Sequence, residues 1–287
     1  MKSPVGPLAA ALTFALALVG CTASTPDSNG GQQATGVETV VPAGFEKYYK
    51  QGIDWGQCQA EDLVMPLLPT PKDLSDYQCA TVQAPMNWDD PTSEPIELSL
   101  ARHLGDKGEK SPALFYNLGG PGGGAVDSIT SVVSGILTKQ LAEHFQIVAL
   151  DPRGVGGSSP IVCMTDQERD EDIDTVIDTS NMTTDELVAL ADQEMAELGA
   201  KCLERSGEIL GYVDTDSAAR DFDLARALMG LEKFDYLGFS YGTVLGAQYA
   251  ELFPENVGRM VLDGAVDPGL SINELSAAQI EGMEKSL

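Results

Sequence analysis

A serine between two glycines is the residue best suited to chemistry in this sequence. Residues 238–242 read Gly-Phe-Ser-Tyr-Gly, the Gly-x-Ser-x-Gly pattern of a nucleophile elbow. In such an elbow a strand turns sharply into a helix, and the two glycines leave room around the strained serine. The serine hydroxyl points out of the fold beside a helix N-terminus, where the helix dipole favours the negative charge of an oxyanion. We therefore predict that Ser240 is the nucleophile of an acyl-transfer reaction.

The segments on either side of this motif fit the elbow. Residues 234–237 read as a buried strand, and residues 243–252 form a helical pattern that ends before Pro254. Gly246 leaves room for this helix to pack closely against a sheet. The alternative is a chance match in a glycine-rich chain, and the flanking strand and helix favour the elbow over it.

A second group of glycines, at residues 119–124, follows the short apolar run at residues 113–116. A phosphate-binding loop is disfavoured because the segment lacks the lysine that such loops carry. In hydrolases with a nucleophile elbow, the loop after this strand supplies one N–H of the oxyanion hole, and the residue after the serine supplies the other. This assigns the two donors to Gly120 and Tyr241. Arg153, after the next predicted strand, is expected to tie loops together beneath the site.

A serine hydroxyl needs a histidine to remove its proton and a carboxylate to orient that histidine. In elbow hydrolases both of these partners follow the serine in the chain. The sequence has two histidines, His103 and His144, and both precede Ser240. We expect both to be surface or edge residues, and we expect turn roles for Asp263 and Asp267. The sequence therefore predicts a nucleophile without an acid and a base of its own.

The elements that position these residues follow an α/β pattern. A turn-rich stretch at residues 89–93 joins two extended runs, which predicts an antiparallel hairpin. Strands and helices then alternate, which predicts a mostly parallel sheet. Thr184 is predicted to cap a long amphipathic helix that ends near Arg205. The predicted strands are residues 80–88, 96–103, 113–116, 145–150, 234–237 and 259–262, and the predicted helices are residues 126–141, 184–205, 216–229, 243–252 and a last one that begins near residue 271.

The first 20 residues have the features of a targeting segment and not of a folded element. Lys2 is followed by an apolar run too short to span a membrane, and small residues then precede Cys21. This pattern is similar to a bacterial lipobox, which predicts that Cys21 carries a lipid anchor. The alternative is an ordinary secretory signal that contains a cysteine. Residues 21–45 are mostly polar, and we predict that they form a flexible tether.

The charge of the chain excludes two classes of partner. The sequence has 17 basic and 44 acidic residues, with a formal net charge of −27. Nucleic acids and anionic lipid head groups repel such a chain. We therefore expect no nucleic-acid partner, and membrane contact only through a lipid on Cys21. The charge fits an exported, soluble domain but does not identify a substrate.

Four cysteines remain if Cys21 is lipidated, and this even number suits two disulfides in an oxidising compartment. Three connectivities are possible among them. We favour Cys58–Cys79 and Cys163–Cys202, because each of these pairs closes a local loop. A metal site is not expected, since the sequence has no Cys-x-x-Cys and its histidines lie far from any cysteine pair. No cofactor is expected either.

Four motifs follow one another in a fixed order along the chain. They are residues 116–123 (Tyr-Asn-Leu-Gly-Gly-Pro-Gly-Gly), 150–158 (Leu-Asp-Pro-Arg-Gly-Val-Gly-Gly-Ser), 237–243 (Leu-Gly-Phe-Ser-Tyr-Gly-Thr) and 261–264 (Val-Leu-Asp-Gly). Together they resemble the secreted tripeptidyl aminopeptidase branch of the α/β-hydrolases, relatives of the prolyl iminopeptidases. The resemblance extends from about residue 55 to the end. It implies a serine exopeptidase whose substrate is a peptide with a free N-terminus, from which it releases short peptides.

The resemblance also implies a division of the chain. Residues 46–268 are expected to form the N-terminal part of an α/β-hydrolase core, and residues 269–287 the start of a cap region. The expected fold is thus truncated before the last strands and the cap, and the acid and base lie in a longer chain, in a second chain, or nowhere. Two other functions stay open, namely an esterase or lipase of the same fold and a non-catalytic surface lipoprotein that keeps the fold.

Overall fold

A computed structural model describes residues 41–63 and 73–286. The predicted targeting segment at residues 1–20 and the lipidation candidate Cys21 lie outside these described residues, as does most of the predicted tether. What the sequence predicts for them stays a prediction.

Seven strands form one sheet in which antiparallel strands lead into parallel ones. The strands are β1 (Gly56–Gln57), β2 (Tyr77–Pro85), β3 (Pro95–His103), β4 (Ala113–Asn117), β5 (Gln146–Leu150), β6 (Phe234–Phe239) and β7 (Val257–Asp263). Their order in the sheet is β1-β2-β3-β5-β4-β6-β7. The pairs from β1 to β5 are antiparallel, whereas β4 pairs in parallel with both β5 and β6, and β7 in parallel with β6. The predicted α/β fold with its antiparallel hairpin is therefore confirmed.

Burial along the strands follows their places in the sheet. The central strand β5 is buried at every position, because helices cover both faces of the sheet there. In β6, buried and half-buried residues alternate, with Phe234 and Tyr236 on the more deeply buried side. The strand β7 has no fully buried residue, and Val261 is 59% exposed.

Helices lie on both faces of the sheet. The helices are α1 (Glu46–Tyr49), α2 (Ile129–Ser131), α3 (Lys139–His144), α4 (Asp166–Asp174), α5 (Thr184–Ser206), α6 (Thr215–Leu228), α7 (Tyr241–Leu252) and α8 (Ile272–Ser286); shorter turns are the π-helical Val132–Ile136 and the 3-10 segments Ala60–Leu63, Gly207–Tyr212 and Pro254–Asn256. On one face α6 and α7 contribute Phe222 and Tyr249 to the larger apolar cluster. On the other face Ile129 and Val132 belong to a second cluster. The sheet is thus the middle of three layers.

The single helix predicted at residues 126–141 is wrong. The chain forms α2 and a π-helical turn, becomes extended at Leu137, and begins again as α3. The Thr138 side chain accepts a hydrogen bond from the N–H of Leu141 and so caps a new helix in the middle of the predicted one. The helical part begins only at Ile129, and the N–H of Val126 before it donates to the carboxylate of Asp151.

The long helix α5 is present, but its predicted cap is displaced by one residue. Thr183 is the N-cap, and not Thr184. The Thr183 side chain accepts the N–H of Glu186, and the Glu186 carboxylate accepts the N–H of Thr183, which makes a reciprocal capping box. The spacing of a threonine three residues before a glutamate was the signal for this cap, and it begins at Thr183.

Both favoured disulfide pairings are present in the structure. Cys58 is bonded to Cys79, which ties β1 to β2, and Cys163 is bonded to Cys202 near the end of α5. Among the described residues, no helix has the length and apolar character needed to cross a bilayer.

Candidate active site

Ser240 lies at the sharp turn between β6 and α7. Its backbone has φ 53° and ψ −123°, a region that non-glycine residues rarely adopt and that marks local strain. A Cβ on Gly238 would lie 2.4 Å from the carbonyl oxygen of Gly242, and one on Gly242 would lie 2.5 Å from that of Asn117. Both positions therefore accept only glycine. The side of the turn that carries Ser240 is exposed to solvent.

Hydrogen bonds fix this strained turn from several sides. The N–H of Ser240 donates to the carbonyl of Asp263 at 3.0 Å, and the N–H and hydroxyl of Thr243 both donate to the carbonyl of Ser240. The Tyr236 hydroxyl donates to the carbonyl of Gly242 at 2.8 Å. Burial raises the pKa of Tyr236, so this hydroxyl stays a neutral donor. The turn is thus held without using the Ser240 hydroxyl.

The glycine-rich loop after β4 packs directly against the turn. Gly119 has φ +98°, and a Cβ there would lie 2.6 Å from the carbonyl oxygen of Phe239 and 2.9 Å from the amide nitrogen of Tyr241. The Gly119 N–H is already used, because it donates to Asn117 Oδ1 at 2.8 Å. Within residues 41–63 and 73–286, neither the N–H of Gly120 nor that of Tyr241 donates to a protein acceptor. Both predicted oxyanion donors are therefore unoccupied and lie on segments in mutual contact.

Asn117, to which sequence reasoning gave no role, lies at the contact between the glycine-rich loop and the elbow. Its side chain occupies the Gly119 N–H, and its backbone carbonyl faces Gly242. It therefore sets how the glycine-rich loop meets the elbow. The signal in the sequence was an asparagine directly after a predicted strand and two residues before the glycine run; the structure shows that this side chain is buried.

Asp151, at the end of β5, holds the far end of the same loop. One carboxylate oxygen accepts the N–H groups of Ala125 and Val126, at 2.6 and 2.8 Å, and the other accepts that of Gly157 at 2.9 Å. Burial raises the pKa of Asp151, while these three N–H groups act in the opposite direction. The loop that carries Gly120 is thus tied at one end to Asn117 and at the other to Asp151.

Arg153 has the structural role that the sequence predicts. Its guanidinium makes two hydrogen bonds of 2.7 Å to the carboxylate of Asp221, and both side chains are 1% exposed. The indole N–H of Trp88 also donates to this carboxylate, at 3.0 Å. The remaining guanidinium N–H groups donate to the backbone carbonyls of Pro85, Met86 and Tyr212. One buried ion pair therefore joins the β2–β3 hairpin, the loop after β5 and helix α6.

A cavity of about 260 Å³ lies beside the turn. Four segments of the chain contribute to its wall, including Gly119, Gly154, Val213 and Tyr241. The Tyr241 hydroxyl is 2.7 Å from the Thr215 hydroxyl at the start of α6, which fixes the ring at the cavity wall. The helix α7 begins at Tyr241, so its positive dipole end faces this region.

The structure does not bring a base to Ser240. His103 pairs with Ile147 at the start of β5, and His144 precedes the same strand. Since β5 and β6 run in the same direction and Ser240 follows the end of β6, both histidines lie at the opposite edge of the sheet. Asp267 accepts the N–H of Gly269 in a turn, as predicted.

Comparisons with known proteins agree with this geometry. Residues 112–287 match the family described as alpha/beta hydrolase fold. The chain is 38% identical over 224 residues to the tripeptidyl aminopeptidase of Streptomyces coelicolor, a match that covers 76% of the chain and 39% of the relative. It is 33% identical over 237 residues to the serine protease Hip1 of Mycobacterium tuberculosis, covering 82% and 43%. It is 34% identical over 288 residues to the carboxylesterase B of the same species, covering 97% and 52%.

These relatives confirm the resemblance to tripeptidyl aminopeptidases that the four motifs imply. The chain spans about two fifths to one half of the length of these curated relatives. The family match covers more than half of the chain and includes the strand β4, the elbow and α7. The chain therefore belongs to the alpha/beta hydrolase fold family.

Proposed function

We propose that this chain supplies the nucleophile and the oxyanion hole of a serine peptidase that releases short peptides from free N-termini. The observation that carries the proposal is the exposed Ser240 on a strained turn, next to two unoccupied N–H groups. In acyl transfer the serine hydroxyl must reach a substrate carbonyl. The strained turn, which several hydrogen bonds maintain, leaves Ser240 exposed for that contact.

In the proposed reaction the Ser240 oxygen attacks the carbonyl carbon of the scissile peptide bond. Its proton passes to a general base, and the carbonyl oxygen becomes an oxyanion that accepts the N–H groups of Gly120 and Tyr241. The C–N bond then breaks, and the protonated base gives its proton to the departing amine. Water later hydrolyses the acyl-enzyme by the same route. Because His103 and His144 lie at the other edge of the sheet, we infer that the base comes from outside these 287 residues.

The names of the relatives support a peptide substrate. One is a tripeptidyl aminopeptidase and another is a serine protease. We therefore propose a substrate with a free α-amine, cleaved after a short N-terminal segment. The scissile peptide bond is chemically like the other peptide bonds of the substrate. The position of cleavage therefore depends on how the enzyme binds the N-terminus of the substrate.

The test uses the native protein, isolated from the cells that make it together with any polypeptide bound to it. We expect a tripeptide anilide with a free amine to be hydrolysed, its N-acetylated form to be a poor substrate, and Ser240→Ala to abolish turnover. A fluorophosphonate should label Ser240, as located by peptide mass spectrometry. The absence of labelling in the native protein would instead indicate a non-catalytic protein that keeps the fold.

An esterase is the second candidate, because the relative that covers 97% of the chain is named a carboxylesterase. The elbow and the two N–H groups serve an ester as well as an amide. Comparing an acyl ester with the free-amine anilide, at equal concentrations of native protein, separates the two functions. Faster cleavage of the ester, with no effect of blocking the amine, would favour the esterase.

We further propose that the protein is exported and anchored through a lipid on Cys21. The two disulfides are compatible with export to an oxidising compartment. Metabolic labelling with an alkyne fatty acid should mark the wild-type protein, and Cys21→Ser should move it from the membrane fraction to the soluble one. Equal membrane association of both proteins would contradict lipidation at Cys21.

A further inference from the structure

The segment at residues 162–206, which we call the acidic arm, differs in character from the rest of the chain. It contains 13 acidic and 3 basic residues and includes the helices α4 and α5. The Cys163–Cys202 disulfide closes it, and Arg205 joins Glu168 across its base at 2.6 Å. The arm follows the end of β5 and precedes α6, so it leaves the sheet at the same edge as Ser240.

Helix α5 carries an apolar stripe that little of the described chain covers. Its 23 residues span about 35 Å at the rise of an α-helix. The only buried residue of the helix is Cys202, whereas Val188 is 56% exposed and Met195 is 61% exposed. The stripe repeats at intervals of three and four residues, the spacing of a seam that meets a second helix. Its members are Val188, Ala191, Met195, Leu198 and Cys202.

A groove of about 420 Å³ lies between this stripe and the end of α4. Four apolar residues, three carboxylates and one basic residue, Lys201, line it, so acidic groups outnumber basic ones. Exposed apolar side chains continue beyond the groove, with Ile173 at 72% and Val176 at 91%. The apolar residues of the groove are Met164, Ile177, Met195 and Leu198, the acidic ones are Asp172, Glu194 and Glu197, and Thr175 and Lys201 complete the lining.

Charge decides which occupant this surface fits. Asp185, Asp192 and Glu194 flank the stripe. A second copy of α5 would place these carboxylates against one another, which opposes pairing of identical helices. An anionic membrane would be repelled in the same way. A helix whose apolar stripe is flanked by Lys and Arg would match both the apolar residues and the excess of carboxylates.

We propose that the acidic arm is a docking surface for a separate polypeptide that binds as a basic amphipathic helix. Val188 and Met195 supply the apolar contact, and the carboxylates beside them select for basic flanking residues. The surface is distinct from Ser240 and does not depend on the reaction proposed above.

The test uses the native chain and a synthetic helical peptide made of Leu and Lys, with leucines at a spacing of three and four. Isothermal titration calorimetry in 50 mM salt should show binding, and 500 mM salt should weaken it at least tenfold. Val188→Asp and Met195→Asp should each weaken binding at least tenfold, although they make the arm more acidic. The matched controls Ala189→Asp and Ala196→Asp add the same charge on the far side of the helix and should keep the affinity.

Several results would overturn the proposal. One is equal binding of a scrambled Leu/Lys peptide, which would reduce the effect to net charge. A second is unchanged affinity in both stripe variants when circular dichroism shows intact α5. A third is a dimer in light scattering that Met195→Asp dissociates, since a second copy would then be the occupant.

Discussion

At the scale of single residues, the site depends on a few groups whose surroundings permit no alternative. Gly119 touches the elbow so closely that any side chain would meet the backbone of Phe239 and Tyr241. Arg153 is fully buried, and its charge is balanced by Asp221 and by three backbone carbonyls. Gly119 affects the geometry of the elbow and Arg153 affects the stability of the fold. Replacing Gly119 should therefore change a reaction rate, and replacing Arg153 should change the free energy of unfolding.

Gly119→Ala should slow the reaction of the native protein with a fluorophosphonate by about 10²–10³-fold, the effect of losing an oxyanion donor. The new Cβ would lie 2.9 Å from the Tyr241 nitrogen and displace one of the two donors. The matched control is Gly122→Ala, because Gly122 has the same φ of +98° but open space around its Cβ position. Equal labelling rates for the two variants would contradict a role for the Gly119 contact.

Arg153→Ala should lower the free energy of unfolding by about 3–5 kcal/mol, because Asp221 would remain as an unpaired buried charge. Arg259→Ala is the matched control. Arg259 also pairs with an aspartate, Asp235, but its side chain is 70% exposed, and we expect about 0–1 kcal/mol. Urea denaturation of both variants gives the comparison. Similar losses would mean that burial does not distinguish the two pairs.

At the scale of elements, helices and strands were predicted best where the hydrophobic periodicity and the residues that begin or end an element agree. The structure contains the predicted elbow strand, hairpin and α7. Their hydrophobic periodicity and their glycines both indicated the same elements. The helix at residues 126–141 was wrong because Thr138 begins a new helix inside an apolar run. Asp221 could not be foreseen as the partner of Arg153, since 68 residues separate the two and only the fold brings them together.

The contact between α4 and α5 should depend on pH. The hydrogen bond from Arg205, followed by those from Thr165, lowers the pKa of Glu168 below its ordinary 4.5. A carboxyl whose pKa falls on folding stabilises the fold above its unfolded pKa, and this stabilisation is lost as the pH falls through the lower, folded value. We expect the NMR titration midpoint of the Glu168 carboxyl to lie below 4.5.

Arg205→Gln should move the Glu168 midpoint back towards 4.5. Glu186 serves as an internal control, since hydrogen bonds from Thr183, and no arginine, lower its pKa. Its midpoint should not change in the variant. An unchanged Glu168 midpoint would show that Arg205 is not the main cause of the shift.

At the scale of the whole molecule, the sheet places the catalytic candidates where its strand order reverses. The strands β5 and β6 lie on either side of β4, and the loops after all three meet at one edge. Such a crevice is the usual binding place in open α/β sheets. At the end of the sheet, β7 pairs with β6 alone among the described strands and exposes Val261 and Leu262.

Residues 1–287, prepared alone, should self-associate at high concentration, because the exposed apolar side chains of β7 favour pairing with further strands. Val261→Lys should reduce the association that light scattering detects. Val176→Lys is the matched control, since Val176 is 91% exposed but lies between α4 and α5 and not on the sheet. Equal reduction by both substitutions would assign the association to general apolar exposure.

The distance of both imidazoles from Ser240 provides a kinetic marker for the missing partner. A bell-shaped or sigmoidal rate profile near neutral pH reports the ionisation of a catalytic base. His103 pairs with the start of β5 and His144 precedes that strand, at the edge of the sheet opposite Ser240, so a double His103→Gln, His144→Gln protein should keep the whole profile. A midpoint that survives both substitutions would then belong to neither of these imidazoles.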